Sequence, residues 1–327
     1  MTSLLLPRTD IAVSPITFGA WAIGGWLWGG NERADSLASI QAALDHGISS
    51  FDTAPVYGFG LSEELVGEAL KGKRQQVQIL TKFGLSWGGA SGHPHSQTTD
   101  PDGTRHTVVR NARRDTVIAE CEASLKRLQT DYIDLYQLHW PDPSTPIDDT
   151  LEALDRLLEQ GKIRAAGLCN ASAELMEQAE ALLPMVSNQV PYSMVERGIE
   201  AEVVPQALKV PYGILAYSPL QRGLLTGKIK PDHKFAPGDH RPRTPHFQPA
   251  KLAQVNAILD QLRPIAADHN ATLAQLVIHW TLQQPGITVA LVGARNAKQA
   301  AENAAACELE VKEEVMGKVQ GLVEEMV

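Results

Sequence analysis

Eight short apolar runs recur along this chain, and stretches with helical spacing alternate with most of them. Residues 16–20, 48–52, 77–82, 132–138, 163–168, 186–189, 210–217 and 287–292 read as strands. Between them, residues 35–44 carry Leu37, Ile40 and Leu44 at helical spacing, and 62–70 and 115–128 read as helices. Thr145-Pro146-Ile147-Asp148 reads as a helix start, with a Thr cap, Pro at the first position and an acid completing a capping box. That helix runs to Gly161, and another opens at Ser172. A polar, Pro-rich segment at 221–249 breaks the rhythm before helices at 251–269 and 272–283, and a last pair of helical segments follows the eighth strand. Residues 4–14 read as a hairpin ahead of the main fold. Eight strands alternating with helices predict a closed (β/α)8 TIM barrel, with 1–327 as one domain. The competing doubly wound sheet lacks its fingerprint: after Gly58-Phe59-Gly60 the third glycine position holds Glu63. A chain of 327 residues that is 43% hydrophobic can fill such a core.

The polar residues fall where those strands end. Asp52 closes the second, Tyr57 follows in a Gly- and Pro-marked loop, Lys82 closes the third and His139 follows the fourth. In a barrel these ends share one rim, the face where active sites sit. A free phenol has a pKa near ~10 and is a sluggish acid at neutral pH. A nearby ammonium favours the phenolate, each unit of lowering corresponding to about 1.4 kcal/mol, and a carboxylate would hold that ammonium in place. His139 is suited to hydrogen-bond a carbonyl and orient it. Taken singly, a strand-end Lys is ordinarily solvated, a lone Asp a turn residue and a His before Trp-Pro a packed loop residue. Four compatible groups on three successive strand ends favour chemistry.

The run Asp52-Thr53-Ala54, Tyr57-Gly58 and Ser62-Glu63-Glu64, with Lys82 and His139, resembles the aldo-keto reductases, NADPH-dependent carbonyl reductases built on a TIM barrel. Within them it is similar in pattern to the bacterial and potassium-channel β-subunit-like branch. The resemblance implies that Tyr57 is the general acid, that Lys82 and Asp52 tune it, and that His139 orients the carbonyl or relays the proton. It also implies an NADPH/NADP site. Asn170 and Gln189, with Asp52 alongside, would recognise the nicotinamide carboxamide, and Tyr217 would stack on the ring. Ser218, Leu220, Gly223 and Lys228 match the pyrophosphate segment. Gly293 and Arg295 lead into a helix whose N-terminal amides face a phosphate, with Arg295 on the 2'-phosphate and Gln299, Glu302 and Asn303 along the adenosine. Where the family generally has Ser before that Asn, this chain has Cys169, expected as a small buried residue.

Trp21, Trp26, Trp28, Trp87 and Trp140 follow barrel strands and are expected to wall an apolar substrate pocket, with Trp21 also against the cofactor. At least one of Trp26 and Trp28 is expected to serve loop packing. Residues 84–114 form a long Gly-, Ser-, His- and Thr-rich connection of the kind that makes lids or mobile segments, with His93 and His95 expected as solvated loop residues. Residues 231–249 are expected to fold over the cofactor, Arg241 meeting a phosphate.

A formal charge of −9 argues against a nucleic-acid or anionic-membrane partner, leaving a small carbonyl compound as the expected one. The sequence has no apolar run of spanning length and no secretory leader over residues 1–15. Its three cysteines, Cys121, Cys169 and Cys307, contain no CxxC, which predicts neither disulfides nor zinc and a cytoplasmic setting. Two rival readings are a cofactor-binding regulatory subunit and a metal-assisted barrel hydrolase using His139 and Asp52. The first lacks an added N-terminal arm in the sequence, and the second lacks further clustered ligands.

Overall fold

A computed structural model describes residues 1–100 and 103–326. The chain begins with a hairpin, β1 (Leu4–Leu5) and β2 (Ala12–Val13). It then runs through β3 (Ile16–Gly19), α1 (Arg33–Asp45), β4 (Ser50–Asp52), α2 (Leu61–Ala69) and β5 (Gln78–Phe83). Three further strands, β6 (Leu85–Ser86), β7 (His93–Thr99) and β8 (Arg105–Arg110), precede α3 (Arg114–Leu128) and β9 (Ile133–Leu138). Next come α4 (Ile147–Glu159), β10 (Ile163–Cys169), α5 (Ala173–Glu180), β11 (Ser187–Pro191), α6 (Val203–Lys209) and β12 (Gly213–Tyr217). The chain continues with α7 (Pro249–Asp268), α8 (Leu273–Leu282), β13 (Ile287–Gly293), α9 (Ala297–Ala304) and α10 (Glu313–Glu324).

Strands β3, β4, β5, β9, β10, β11, β12 and β13 close into one parallel barrel, with β13 pairing back onto β3. The (β/α)8 expectation is met. Side chains alternate along each strand, so one parity faces inward. Leu80, Leu135, Ala165, Leu215 and Val289 form the floor layer, and Leu6, Ile11 and Val13 of the hairpin pack with that layer, plugging one end. Two residues further along the same strands stand Lys82, Gln137, Gly167, Tyr217 and Leu291. The next step on β9 reaches His139. The pattern that fills the bottom with aliphatics therefore delivers polar groups to the top.

Several local features differ from the sequence reading. Thr145 is not the helix cap: Pro146 occupies that position, and the Thr145 hydroxyl donates instead to Asp142 at 2.7 Å. Ser62 does not open α2. Gly60, at φ +106, is its cap, and the Ser62 hydroxyl donates to Ala20 O at 2.8 Å and lies 2.9 Å from Thr53 Oγ1. β12 starts at Gly213 because Pro211 has no N–H for the ladder. The short helix α6, which contains a proline, had no sequence signal of its own. The connection at 84–114 is not a lid without structure: β6, β8 and β7 form an antiparallel sheet in that order. Its strand β7 reads His-Pro-His-Ser-Gln-Thr-Thr and is largely exposed, so no apolar alternation announced it. Pro101 and Asp102 in that connection lie outside the described residues. Among the described residues no helix is long and apolar enough to cross a membrane, and the three cysteines are free.

One close approach fixes the loop after β4. A Cβ on Gly58 would stand 2.4 Å from Gly24 O, and one on Gly24 would stand 2.8 Å from Tyr57 O. Gly58 also sits at φ +66. Steric room and backbone conformation both require glycine there. Gly58→Ala is therefore expected to destabilise the fold by about 2–3 kcal/mol, read as a lowered melting temperature. A neighbouring exposed glycine at positive φ with open space, Gly72→Ala, is expected to cost less.

Candidate active site

Lys82 is fully buried, so its ammonium depends on what surrounds it. Its Nζ donates to Asp52 Oδ1 at 2.6 Å and to Thr53 O at 2.8 Å, and lies 5.0 Å from the centre of the Tyr57 ring. Asp52 Oδ2 accepts from Gln189 Nε2 at 2.8 Å and from Gln137 Nε2 at 3.4 Å. Burial alone would lower the ammonium's pKa, but Asp52, Tyr57 and Cys169 together outweigh it and hold it above its ordinary value. The ring of His139 meets that of Tyr57 edge-on at 5.7 Å. Burial, Lys82 and His95 push His139 well below the usual imidazole range, so it is neutral. Tyr57, Asp52, Lys82 and His139 are thus brought together as the sequence implied.

The expected acidification of the phenol is not what the structure gives. Burial pushes Tyr57 up to about 12, and the opposing pull of Lys82 recovers only part of that rise. The ammonium is shared with Asp52, whose own charge works against the phenolate.

Of the Ser-Glu-Glu run, Glu63 braces this arrangement. Glu63, fully buried in α2, accepts from Thr81 Oγ1 at 2.6 Å and pairs with Arg127 of α3 at 2.6 Å. The hydrogen bond ties α2 to the strand that carries Lys82, and the ion pair ties it to α3.

A cleft of about 520 Å³ runs across the rim from His139 to Asn303. Every catalytic and cofactor-site candidate read from the sequence lines it except Lys82, which lies beneath. Asn170 sits at φ +55, its Nδ2 donating to His139 O at 2.9 Å and its Oδ1 accepting from the Tyr217 hydroxyl at 3.0 Å. Gln189 turns its amide nitrogen to Asp52. Cys169 is buried, and its thiol is raised by that burial, as suits a small packed residue. Ser218, at φ +58, Leu220 and Gly223 line the middle of the cleft. Lys228 is largely exposed, 3.6 Å from Glu302 Oε2.

At the far end Gly293 is level with Gly19 in the sheet. Arg295 donates through Nε to Asn31 Oδ1 at 3.2 Å and through Nη2 to Gly30 O. The open helix N-terminus expected there is partly closed. The Asn296 side chain caps Gln299 N at 3.0 Å, and Gln299 Oε1 takes Arg295 N at 2.9 Å. Asn303 donates to Gly293 O at 3.1 Å.

The walls sort the tryptophans. Trp21 and Trp28 meet edge-on at 5.4 Å, and His240 meets the first tilted at 5.1 Å and the second edge-on at 5.6 Å. Trp26 is buried and donates to Thr98 of β7 at 2.8 Å while reaching the cleft, as does Trp140. Trp87 does not line the cleft. It packs on Phe59 at 5.5 Å, drawn outward by the sheet. The segment at 231–249 does fold onto the cleft: Leu27 O accepts both His240 N at 3.1 Å and His240 Nδ1 at 2.6 Å. Arg241 is engaged by Asp239 at 2.6 Å and by Arg222 O at 3.2 Å.

Three residues escaped the sequence reading. Gln137 could have been found as a polar residue at an inward position two before His139. Arg222, at φ +55 beside Gly223, carries a buried Nε that has no partner among the described residues. His95 was placed in solvent but lines the cleft, because β7 folds over the mouth. Among the described residues no group of three or more His, Cys, Asp or Glu side chains is placed to hold a metal ion.

Comparisons with known proteins agree with this geometry. A family model described as "Aldo/keto reductase family" matches residues 15–324. The aldo-keto reductase YhdN of Bacillus subtilis is 43% identical over 294 residues, covering 89% of this chain and 84% of that protein. An NADH-specific methylglyoxal reductase of Escherichia coli is 35% identical over 319 residues, covering 96% and 95%. Among solved structures, the glycerol dehydrogenase AKR11B4 from Gluconobacter oxydans superposes with a TM-score of 0.88 at 37% identity, covering 99% of this chain and 96% of that one.

Removing the carboxylate would strand a buried ammonium. Asp52→Asn is expected to destabilise the fold by about 3–5 kcal/mol in denaturant titration. Glu152→Gln, which breaks the exposed pair with Arg114, is expected to leave the midpoint unchanged.

Proposed function

The chain belongs to the aldo/keto reductase family of oxidoreductases acting on carbonyl groups, and from that premise we propose that it reduces small aldehydes or ketones with NADPH, Tyr57 delivering the proton. The observation that carries this reading is the buried Lys82–Asp52 pair beneath the Tyr57 ring, beside a neutral His139 and at one end of a cleft furnished for a dinucleotide.

The cleft's own groups fit such a cofactor. Arg222 offers a buried, unpartnered N–H in the middle of the cleft, and Glu302 a buried, unpartnered carboxylate oxygen near Asn303. An anion suits the first and an amino group the second. A reduced nicotinamide, when bound there, supplies the hydride that reaches the carbonyl carbon. The phenol of Tyr57, at about 12, stays protonated throughout the neutral range and is ready to donate to the carbonyl oxygen. Donation leaves a phenolate facing the Lys82 ammonium. That attraction is stronger in the transition state than in the ground state, which is the condition for catalysis. His139, neutral and against the Tyr57 ring, orients the oxygen. The Asn170 and Gln189 amides would hold the carboxamide, and the Tyr217 ring, anchored through its hydroxyl to Asn170, would provide the stacking surface. Arg295 has two nitrogens held by Gly30 and Asn31. Nη1 would remain for the 2'-phosphate, and Gly223 and Lys228 would hold the pyrophosphate.

Tyr57→Phe is expected to lower aldehyde reduction by ~100-fold or more while NADPH still binds in fluorescence titration; undiminished turnover removes Tyr57 as the acid. Arg295→Ala is expected to weaken NADPH by ~10-fold or more relative to NADH, and equal weakening takes it off the 2'-phosphate. The pH dependence has a sign. With its pKa pushed up to about 12, Tyr57 keeps its proton throughout the neutral range and His139 is already neutral, so neither group limits reduction between about pH 7 and 9. Alcohol oxidation needs the phenolate and is expected to rise with pH over the same range, as initial rates in both directions would read.

A further inference from the structure

The antiparallel sheet after β5 carries a group that the proton-transfer machinery does not use. In the pairing of β7 with β8, Pro94 lies opposite Val109 and Ser96 opposite Val108, so His95 has no residue across from it. It is the extra residue of a bulge, a device that redirects a side chain. Its imidazole lines the cleft beside Trp140, with ring centres 5.5 Å apart, and close enough to His139 to disfavour a proton there.

Arg110 decides which edge of that ring is a donor. Arg110 Nε donates to His95 Nδ1 at 3.2 Å, while Nη1 donates to Pro141 O at 3.1 Å and the guanidinium lies 5.2 Å from the Trp140 ring centre. A guanidinium has no lone pair to offer, so Nδ1 must be the acceptor and the proton of the neutral ring sits on Nε2. Burial and the Arg110 charge both keep the ring neutral. Trp140 packs beside the ring, whose only hydrogen bond among the described residues is the one from Arg110, which leaves that N–H free for a ligand.

The reacting carbonyl oxygen already has two partners in Tyr57 and His139. A third fixed donor at this end of the cleft has no use for a plain alkyl or aryl aldehyde. We propose that His95 is a specificity-determining residue whose Nε2–H binds a second oxygen of the substrate, selecting short carbonyls with a neighbouring hydroxyl or carbonyl, such as hydroxyaldehydes and 1,2-dicarbonyls. This rests on the carbonyl-reductase reading above. A site built to hydrogen-bond an oxygen discriminates strongly against the analogue lacking it.

The test compares substrates of equal chain length, glyceraldehyde against propanal, in the full-length enzyme with saturating NADPH. The wild type is expected to favour glyceraldehyde in kcat/KM. In His95→Phe, which keeps an aromatic ring against Trp140, the ratio of the two kcat/KM values is expected to fall about tenfold. His95→Gln, which returns a donor, is expected to restore part of it. A ratio unchanged in both variants, or an equal loss on both substrates, overturns the assignment. A wild type that reduces neither compound nor any other aldehyde overturns the carbonyl-reductase reading instead.

Discussion

A lysine with no solvent exposure sets the terms for everything around it. An ammonium in the interior of a barrel is tolerated only where opposite charge and hydrogen-bond acceptors replace the water it has lost. Asp52 and the carbonyl of Thr53 do this at 2.6 and 2.8 Å, and both come from the end of β4. The second oxygen of Asp52 is then occupied by Gln189 and Gln137, so three further strands contribute to one satisfied polar cluster. Gly167 makes room for it: a Cβ there would stand 2.4 Å from Ser187 Oγ and 3.2 Å from Gln137 Cγ. The floor of the candidate site is in this sense part of the core, held by the same parity rule that layers the aliphatics below.

The phenol above that floor is governed by two opposed effects. Desolvation favours the neutral hydroxyl, and Lys82 favours the anion. Desolvation wins because the ammonium's charge is already countered by Asp52. The outcome suits an acid that must keep its proton until a stronger base, an oxygen gaining negative charge, develops beside it. On the proposed reading, the Lys82 ammonium would act on the phenolate left after transfer rather than on how acidic the phenol is before it.

The walls are built from parts that the barrel rhythm does not require. The segment at 231–249 is pinned through Leu27 O to the loop after β3, which brings His240 against Trp21 and Trp28. On the other side, the antiparallel sheet brings Thr98 to Trp26 and His95 to Trp140. Aromatic side chains from several loops are thereby held by single polar contacts to neighbouring segments. These contacts, more than the strands, give the mouth its shape.

The order of strands, the barrel and the four polar strand-end residues were all legible in the sequence. Inward-facing strand positions repeat with a period of two, and in a closed parallel barrel every strand end is delivered to the same rim. The residues that the family resemblance assigns to a cofactor all line the cleft. Other features depended on distant partners. Thr145 read as a cap and Ser62 as the first residue of a helix, but Asp142 and Ala20 claim their hydroxyls. The sheet at Leu85–Arg110 has too polar a pattern to announce itself, so Trp87 and His95 exchanged places, one leaving the mouth and one entering it. Local pattern determined which groups could meet at the rim. Only the folded chain decided the balance of charge and burial on Tyr57, and which nitrogen of His95 bears a proton. Both are set by neighbours far away in sequence, whose distance and desolvation no single stretch of residues encodes.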